Sequence, residues 1–176
     1  MPDMQWPRFM VFEQQKEGAP WRHNGTVHAP DAELALLNAR DVFSRRPEQT
    51  AMFVVQADAI TTKTREELAQ ADWAAGAATA EEQAYLVFAK TSEQGACEFA
   101  TEIEANSPEA AIAAAIECGA ASNPLWWWAF RKAETLMSGA DDAASMFGPA
   151  RDKTFKSSNE YPVVTMMREL KARRKK

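Results

Sequence analysis

The feature that most constrains this chain is an internal repeat. FMVFEQQKEG (9–18) and YLVFAKTSEQ (85–94) align 76 positions apart, and the same offset carries Ala29 onto Ala105, Glu33 onto Glu109, Ala35 onto Ala111 and Ala39 onto Ala115. A chain of 176 residues holds two units of roughly 75 residues as readily as one ordinary domain. Two units are the reading that the repeat favours.

The local grammar of the two copies agrees. Asp31 and Ser107 are equivalent, and each has a short side-chain oxygen suited to accept from the open amides of a helix's first turn. Pro108 follows at the first helical position, and Glu33 and Glu109 sit where the helix dipole favours an anion. Ala32, Ala35, Leu36, Ala39, Val42 and Phe43 line one face of the first helix, and Ala111, Ile112, Ala115 and Cys118 line the second. Cys118 is thus expected as a buried, inert thiol in the slot of Val42.

Two strand-like runs precede each helix (9–15 and 22–29; 85–91 and 98–105), joined through a turn containing Gly18 or Gly95, and a third run follows it (51–57; 125–131). Each unit therefore reads ββαβ. The expected fold class is α+β: two tandem rolls of the β-grasp or ubiquitin-like type, forming a pseudo-dimer within one chain, with a split β-α-β arrangement as the other possibility. The expected boundaries are 1–62 for the first unit, 63–83 for a linker with a helical portion near 65–73, 84–137 for the second unit, and 138–176 for a tail, extended at first, with a short helix at 163–171.

The strands contain FMVF, MFVV, YLVF and LWWWAF, whereas a half-exposed strand alternates apolar and polar residues. Both faces of these strands want cover, and one helix per unit covers only one. Either the units bury their second faces against each other or that surface meets a partner. Trp126, Trp127 and Trp128 pose the question most sharply, since neighbouring strand side chains point oppositely.

A net charge of −5 argues against nucleic-acid binding, and the basic run KARRKK (171–176) reads as a solvated tail. No apolar run approaches the roughly 20 residues that cross a bilayer, and the opening MPDMQWPRF resembles no leader, so the cytoplasm is expected. Cys97 and Cys118, the only cysteines, are expected reduced. His23 and His28, the only histidines, lie five apart on one strand and point to opposite faces, so they do not chelate together. A di-iron bundle needs Glu-x-x-His, yet Pro20 and Gly25 stand three residues before the histidines. The residues nominate no catalytic, metal or cofactor site.

The first unit carries a more specific pattern. QWPRFMVFEQQKEG, RHNGTVHAPDAELALLNARDVFSRR and MFVVQADAI resemble the family of the B subunit of phenylacetyl-CoA epoxidase, the bacterial ring-1,2-epoxidase of phenylacetate degradation. That family has an opening Trp-Pro strand, an H-x-G-S-L-H-A segment, a helix ending N-A-R-D-x-Y-x-R-R and a W-V-V-K-A strand. Trp6, Pro7, His23, Gly25, Thr26, Val27, His28, Ala29, Asn38, Ala39, Arg40, Asp41, Phe43, Arg45, Arg46, Phe53, Val54 and Val55 match those features. GPARDKTFKSSNEYP (148–162) resembles the family's closing segment. Trp21 stands where the family often has histidine, the second copy lacks both histidines and the N-A-R-D run, and Lys156 and Ser157 replace an Arg-His pair.

The resemblance implies a non-catalytic subunit that holds catalytic pairs together. The di-iron site would belong to a separate subunit, a second helical subunit would support it, and a reductase with NADPH, flavin and iron–sulfur would supply electrons. It leaves open a contact with the reductase and self-association of such chains. The expected partner-binding residues are Trp6, His23, His28, Asn38, Arg40, Asp41, Arg45, Arg46, Trp126, Trp127 and Trp128. The competing readings are a duplicated small-molecule-binding or regulatory domain and, more weakly, an enzyme in its own right.

Overall fold

The computed structural model describes residues 5–44, 50–70, 73, 81–149 and 163–173. Strands β1 (Arg8–Gln14) and β2 (Arg22–His28), helix α1 (Ala32–Phe43) and strand β3 (Ala51–Gln56) come first. A 3₁₀ turn leads to β4 (Thr61–Thr64) and the one-turn helix α2 (Arg65–Leu68). The pattern recurs in β5 (Gln83–Lys90), β6 (Glu98–Ala105), α3 (Pro108–Glu117) and β7 (Trp126–Arg131), then a second 3₁₀ turn and β8 (Leu136–Met137). Helices α4 (Ala143–Phe147) and α5 (Val163–Arg173) close the described chain.

Both long helices start where their caps dictate. Asp31 Oδ1 accepts from the Leu34 amide at 2.8 Å and Ser107 Oγ from the Ala110 amide at 3.1 Å, with Pro108 in the first turn. The buried face of α1 is Ala35, Leu36 and Ala39, and that of α3 is Ala111, Ile112 and Ala115.

All eight strands join one antiparallel sheet in the order β4-β7-β5-β6-β2-β1-β3-β8. Exchanging each strand for its counterpart in the other half reverses this order into itself. The halves meet directly at a short seam. There the register pairs Arg22 with Glu98, flanked by the His23 amide donating to the Cys97 carbonyl at 2.8 Å and the Phe99 amide to the Trp21 carbonyl at 2.7 Å. They also trade edge strands: β4 leaves the first half to pair with β7, and β8 leaves the second to pair with β3. Irregularities fall at equivalent places, since the β1–β2 register shifts between Val11 and Phe12 and the β5–β6 register between Val87 and Phe88.

Alternation along the strands now explains the unbroken apolar runs. Phe9, Val11, Met52 and Val54 face α1, while Tyr85, Val87, Trp127 and Ala129 face α3. The intervening residues Phe12, Phe53, Val55, Leu86, Phe88 and Phe130 share a third cluster drawn from both halves, with Phe12 stacked on Phe53 at 4.7 Å and tilted against Phe88 at 4.6 Å. The second sheet faces cover each other, so β1, β3, β5 and β7 are buried on both sides.

Several expectations need correction. The expected boundary between first unit and linker at 62/63 cuts through β4, and α2 spans only 65–68. Arg65 ties this segment to the second half, its guanidinium donating to the Asn123 carbonyl at 3.0 Å and the Pro124 carbonyl at 3.1 Å. The tail is not extended at its start, because α4 packs Met146 and Phe147 against the first half's core. Val42 is 46% exposed and Cys118 is exposed, because both sit where the helix turns its last residues outward; the buried thiol is Cys97. The two halves share one sheet rather than forming separate rolls, and β3 and β7 run antiparallel to β1 and β5. The terminal helix occurs as expected over 163–173 and exposes Met166, Met167 and Leu170. No helix among the described residues is long and apolar enough to cross a membrane.

Candidate partner-binding surface

The residues singled out in the first half fall into two places. The larger group converges between the end of β2 and the outer side of α1. A groove of about 370 Å³ there is lined by Thr26, Val27, His28, Asn38, Asp41 and Val42. Asn38, Asp41 and Val42 reach it because spacings of three and four place helix residues on one side. His28 reaches it as the last residue of β2, just before the α1 cap.

Hydrogen bonds fix the groove's polar rim. His28 Nδ1 lies 2.8 Å from the Trp6 carbonyl oxygen. A carbonyl only accepts, so Nδ1 carries the proton and donates, and Nε2 of the neutral ring is left as an acceptor. This bond fixes the Trp6 backbone next to His28; the Trp6 residue is 58% exposed and is not among those lining the groove. Asn38 Nδ2 donates to the His28 carbonyl at 3.4 Å, and Arg40 donates through Nε and Nη2 to Asp41 Oδ1 at 3.0 and 2.8 Å. The groove combines an imidazole, an amide and a carboxylate compensated by Arg40 with the apolar Val42, while Arg40 itself lines a neighbouring groove between α1 and α4. The first of these grooves offers mixed polar and apolar contacts of the kind that protein interfaces use, and no arrangement for bond-making. Arg45 and Arg46 lie outside the described residues.

Glycine sits under this surface for a steric reason. A Cβ on Gly25 would come within 2.6 Å of Phe43 Cζ, so the ring that closes α1 needs bare backbone beneath it. Gly25 and Phe43 are thereby a packing pair that sets the angle of α1 on β2.

The second group does not join the groove. His23 sits at the rim of the shared aromatic cluster, 5.4 Å from Phe12 and 5.0 Å from Trp128 in edge-to-face contacts. Burial pushes its pKa below the usual imidazole value, a hydrogen bond with the Gly25 backbone pulls the other way, and Lys90 lowers it further. Trp128 packs with the same cluster, and Trp126 is half-buried under the Lys90 ammonium, 4.5 Å from its ring. Trp127 is 1% exposed inside the second half's core. As an expected anchor for a partner it is corrected to a core residue, because strand alternation turns it toward α3.

Sequence reasoning missed two features. Thr26, Val27 and Val42 line the groove but are not among the expected partner-binding residues: Thr26 and Val27 match the family pattern only as strand residues, and Val42 reads as an ordinary helix-face residue. Glu13, 4% exposed, is held by Arg22 Nη2 at 2.8 Å and Asn24 Nδ2 at 2.8 Å across the β1–β2 hairpin. Its signal is a carboxylate ending the apolar run FMVFE with a guanidinium nine residues on. Among the described residues, no three His, Cys, Asp or Glu side chains are grouped to hold a metal.

Comparison with known proteins bears on the same half. A family model described as PaaB, Phenylacetic acid degradation B, matches residues 5–79. The B subunit of 1,2-phenylacetyl-CoA epoxidase from Escherichia coli (strain K12) is 42% identical over 67 residues, which are 38% of this chain and 70% of that protein. No solved structure matches. With 42% identity over 70% of that relative's length, the chain belongs to the phenylacetic acid degradation B family.

Proposed function

We propose that this chain is a non-catalytic structural subunit of a multicomponent di-iron oxygenase acting on phenylacetyl-CoA, holding the catalytic subunits together through protein contacts. The observation that carries this reading is the convergence of His28, Asn38 and Asp41, three matches to the family pattern, on one exposed groove, with His28 bonded to the backbone of a fourth, Trp6. Family membership supplies the system. The di-iron centre and the electron chain then reside in other subunits.

The same reading takes the two halves as a tandem duplication, packed as a pseudo-dimer within one chain. The self-reversing strand order, the traded edge strands and the equivalent register shifts support it.

A ligand-binding alternative looks to the cavity between the halves, lined in part by Trp21, Phe53, Leu86 and Phe99. At about 250 Å³ it falls below the roughly 300–1,000 Å³ typical of small-molecule sites. Protein binding is favoured.

Co-purification of the full chain with the di-iron subunit and its helical companion tests the proposal. A stable complex is expected, weakened by His28→Glu. Elution of the chain alone with both partners present contradicts it.

A further inference from the structure

The surface between β6 and α3 that is equivalent to the groove between β2 and α1 is chemically different from it. At the offset of 76, Thr26, Val27 and His28 become Glu102, Ile103 and Glu104, while Asn38, Asp41 and Val42 become Ala114, Glu117 and Cys118. Arg40, which compensates Asp41, becomes Ile116, 42% exposed. Of the three glutamates, Glu102 is held by Lys132 at 2.7 Å, while Glu104 and Glu117 have no ion pair among the described residues.

A partner group satisfied by the groove would meet the wrong chemistry on the equivalent surface. An acceptor facing the Asn38 amide finds the methyl of Ala114. A donor from which His28 Nε2 accepts still finds an acceptor in the Glu104 carboxylate, but a neutral or anionic group meets a full negative charge there, and the cation at position 40 is gone. A recognising surface therefore loses the Asn38 contact and meets uncompensated negative charge, which is discrimination by both missing attraction and added repulsion. The fold around the second surface is nonetheless intact, with the same cap, register shift and buried helix face.

We infer that each chain carries one working copy of the groove and engages one copy of the subunit that recognises it, the second half completing the pair without repeating the site. This rests on the partner-binding reading above. A symmetric dimer of single-unit chains would present two equal grooves; this chain presents one.

Titration of the full chain against the di-iron subunit with its helical companion, read by calorimetry and by mass of the complex, tests the inference. Saturation at one partner per chain is expected. The first-half variant His28→Glu/Asn38→Ala/Arg40→Ile, which installs the second half's residues, should weaken binding about tenfold or more while the second-half variant Glu104→Gln/Glu117→Gln leaves affinity within about twofold. Thermal unfolding confirms that each variant folds, and the exposed single change Val42→Glu, with the same expected loss, serves where the triple does not. Two partners per wild-type chain, or equal weakening by the second-half variant, overturns the inference. A chain that takes up no partner overturns the proposed function itself.

Discussion

The two halves share one topology but fill the space under their helices by different means. In the first, Phe43 closes the end of α1 and Met52 fills the sheet side; in the second, the corresponding places are taken by Gly119 and Trp127. Bulk has moved from helix end to strand. The residue beneath the helix end follows suit: Gly25 is bare where Phe43 presses on it, and its counterpart Thr101 carries a side chain where Gly119 leaves room. Total volume and patterning are kept while individual residues change, which is how cores tolerate divergence. The polar residues follow no such compensation. The Glu13, Arg22 and Asn24 network becomes Ala89, Glu98 and Ala100, and of the polar groups at the groove the imidazole, the amide and the Arg40 cation have no counterpart, while Asp41 and Val27 keep theirs in Glu117 and Ile103. The two halves match in packing and differ in polar surface, which is the pattern expected if both fold together but only the first is read by a partner.

This contrast can be broken experimentally, most forcefully at the redistributed bulk. Trp127→Ala should destabilise the chain by about 3–5 kcal/mol through cavity formation, and Met52→Ala by about 2–5 kcal/mol. Denaturant unfolding measures both. A small loss at Trp127 would show that the indole does not carry the second half's core. Gly25→Ala should cost about 1–3 kcal/mol by overpacking against Phe43. Adding Phe43→Ala to Gly25→Ala should remove most of that steric penalty, so a double-mutant cycle without coupling argues against the pair. Glu13→Ala strands the Arg22 and Asn24 donors and should cost about 1–3 kcal/mol. A neutral result would mean solvent satisfies them.

Smaller effects sharpen the same comparison. His23 has a depressed pKa in the folded chain, so the unfolded chain takes up its proton first as pH falls below about 6.5. Its contribution to stability is complete above that pH and declines as pH drops toward the folded-state value. His23→Gln should therefore flatten the stability profile in mild acid; an unchanged slope shows that the ring is not buried as described. Burial pushes the Cys97 thiol up to about 12, whereas Cys118 is exposed. A thiol reagent at about pH 8 should modify one cysteine quickly, and Cys118→Ser should abolish that fast phase. Equal rates at the two thiols would contradict the burial assigned to each.

Much of this fold is legible in the sequence because it is set locally. Asp31 and Ser107 announce the helices through their caps, and FMVF, MFVV, YLVF and LWWWAF announce strands buried on both faces. What escapes depends on partners distant in sequence. TTKT at 61–64 has strand-favouring threonines but no apolar residue to alternate, and becomes β4 because β7, far along the chain at 126–131, offers an edge. The β2–β6 seam rests on one register pair and a few backbone bonds, which leave no trace in side-chain pattern. Trp127 escapes because alternation says that neighbours diverge, not which neighbour turns inward. The groove is half legible: its polar members stand out within the family pattern, while Thr26, Val27 and Val42 gain meaning only when the fold places them side by side.

Hydrogen–deuterium exchange of the full chain, alone and in complex with the di-iron subunit and its helical companion, tests the central claim most directly. The account predicts new protection over residues 26–28 and 38–42, with residues 102–104 and 114–118 unchanged. Protection centred on the second half's equivalent surface, or shared equally by both, would contradict it.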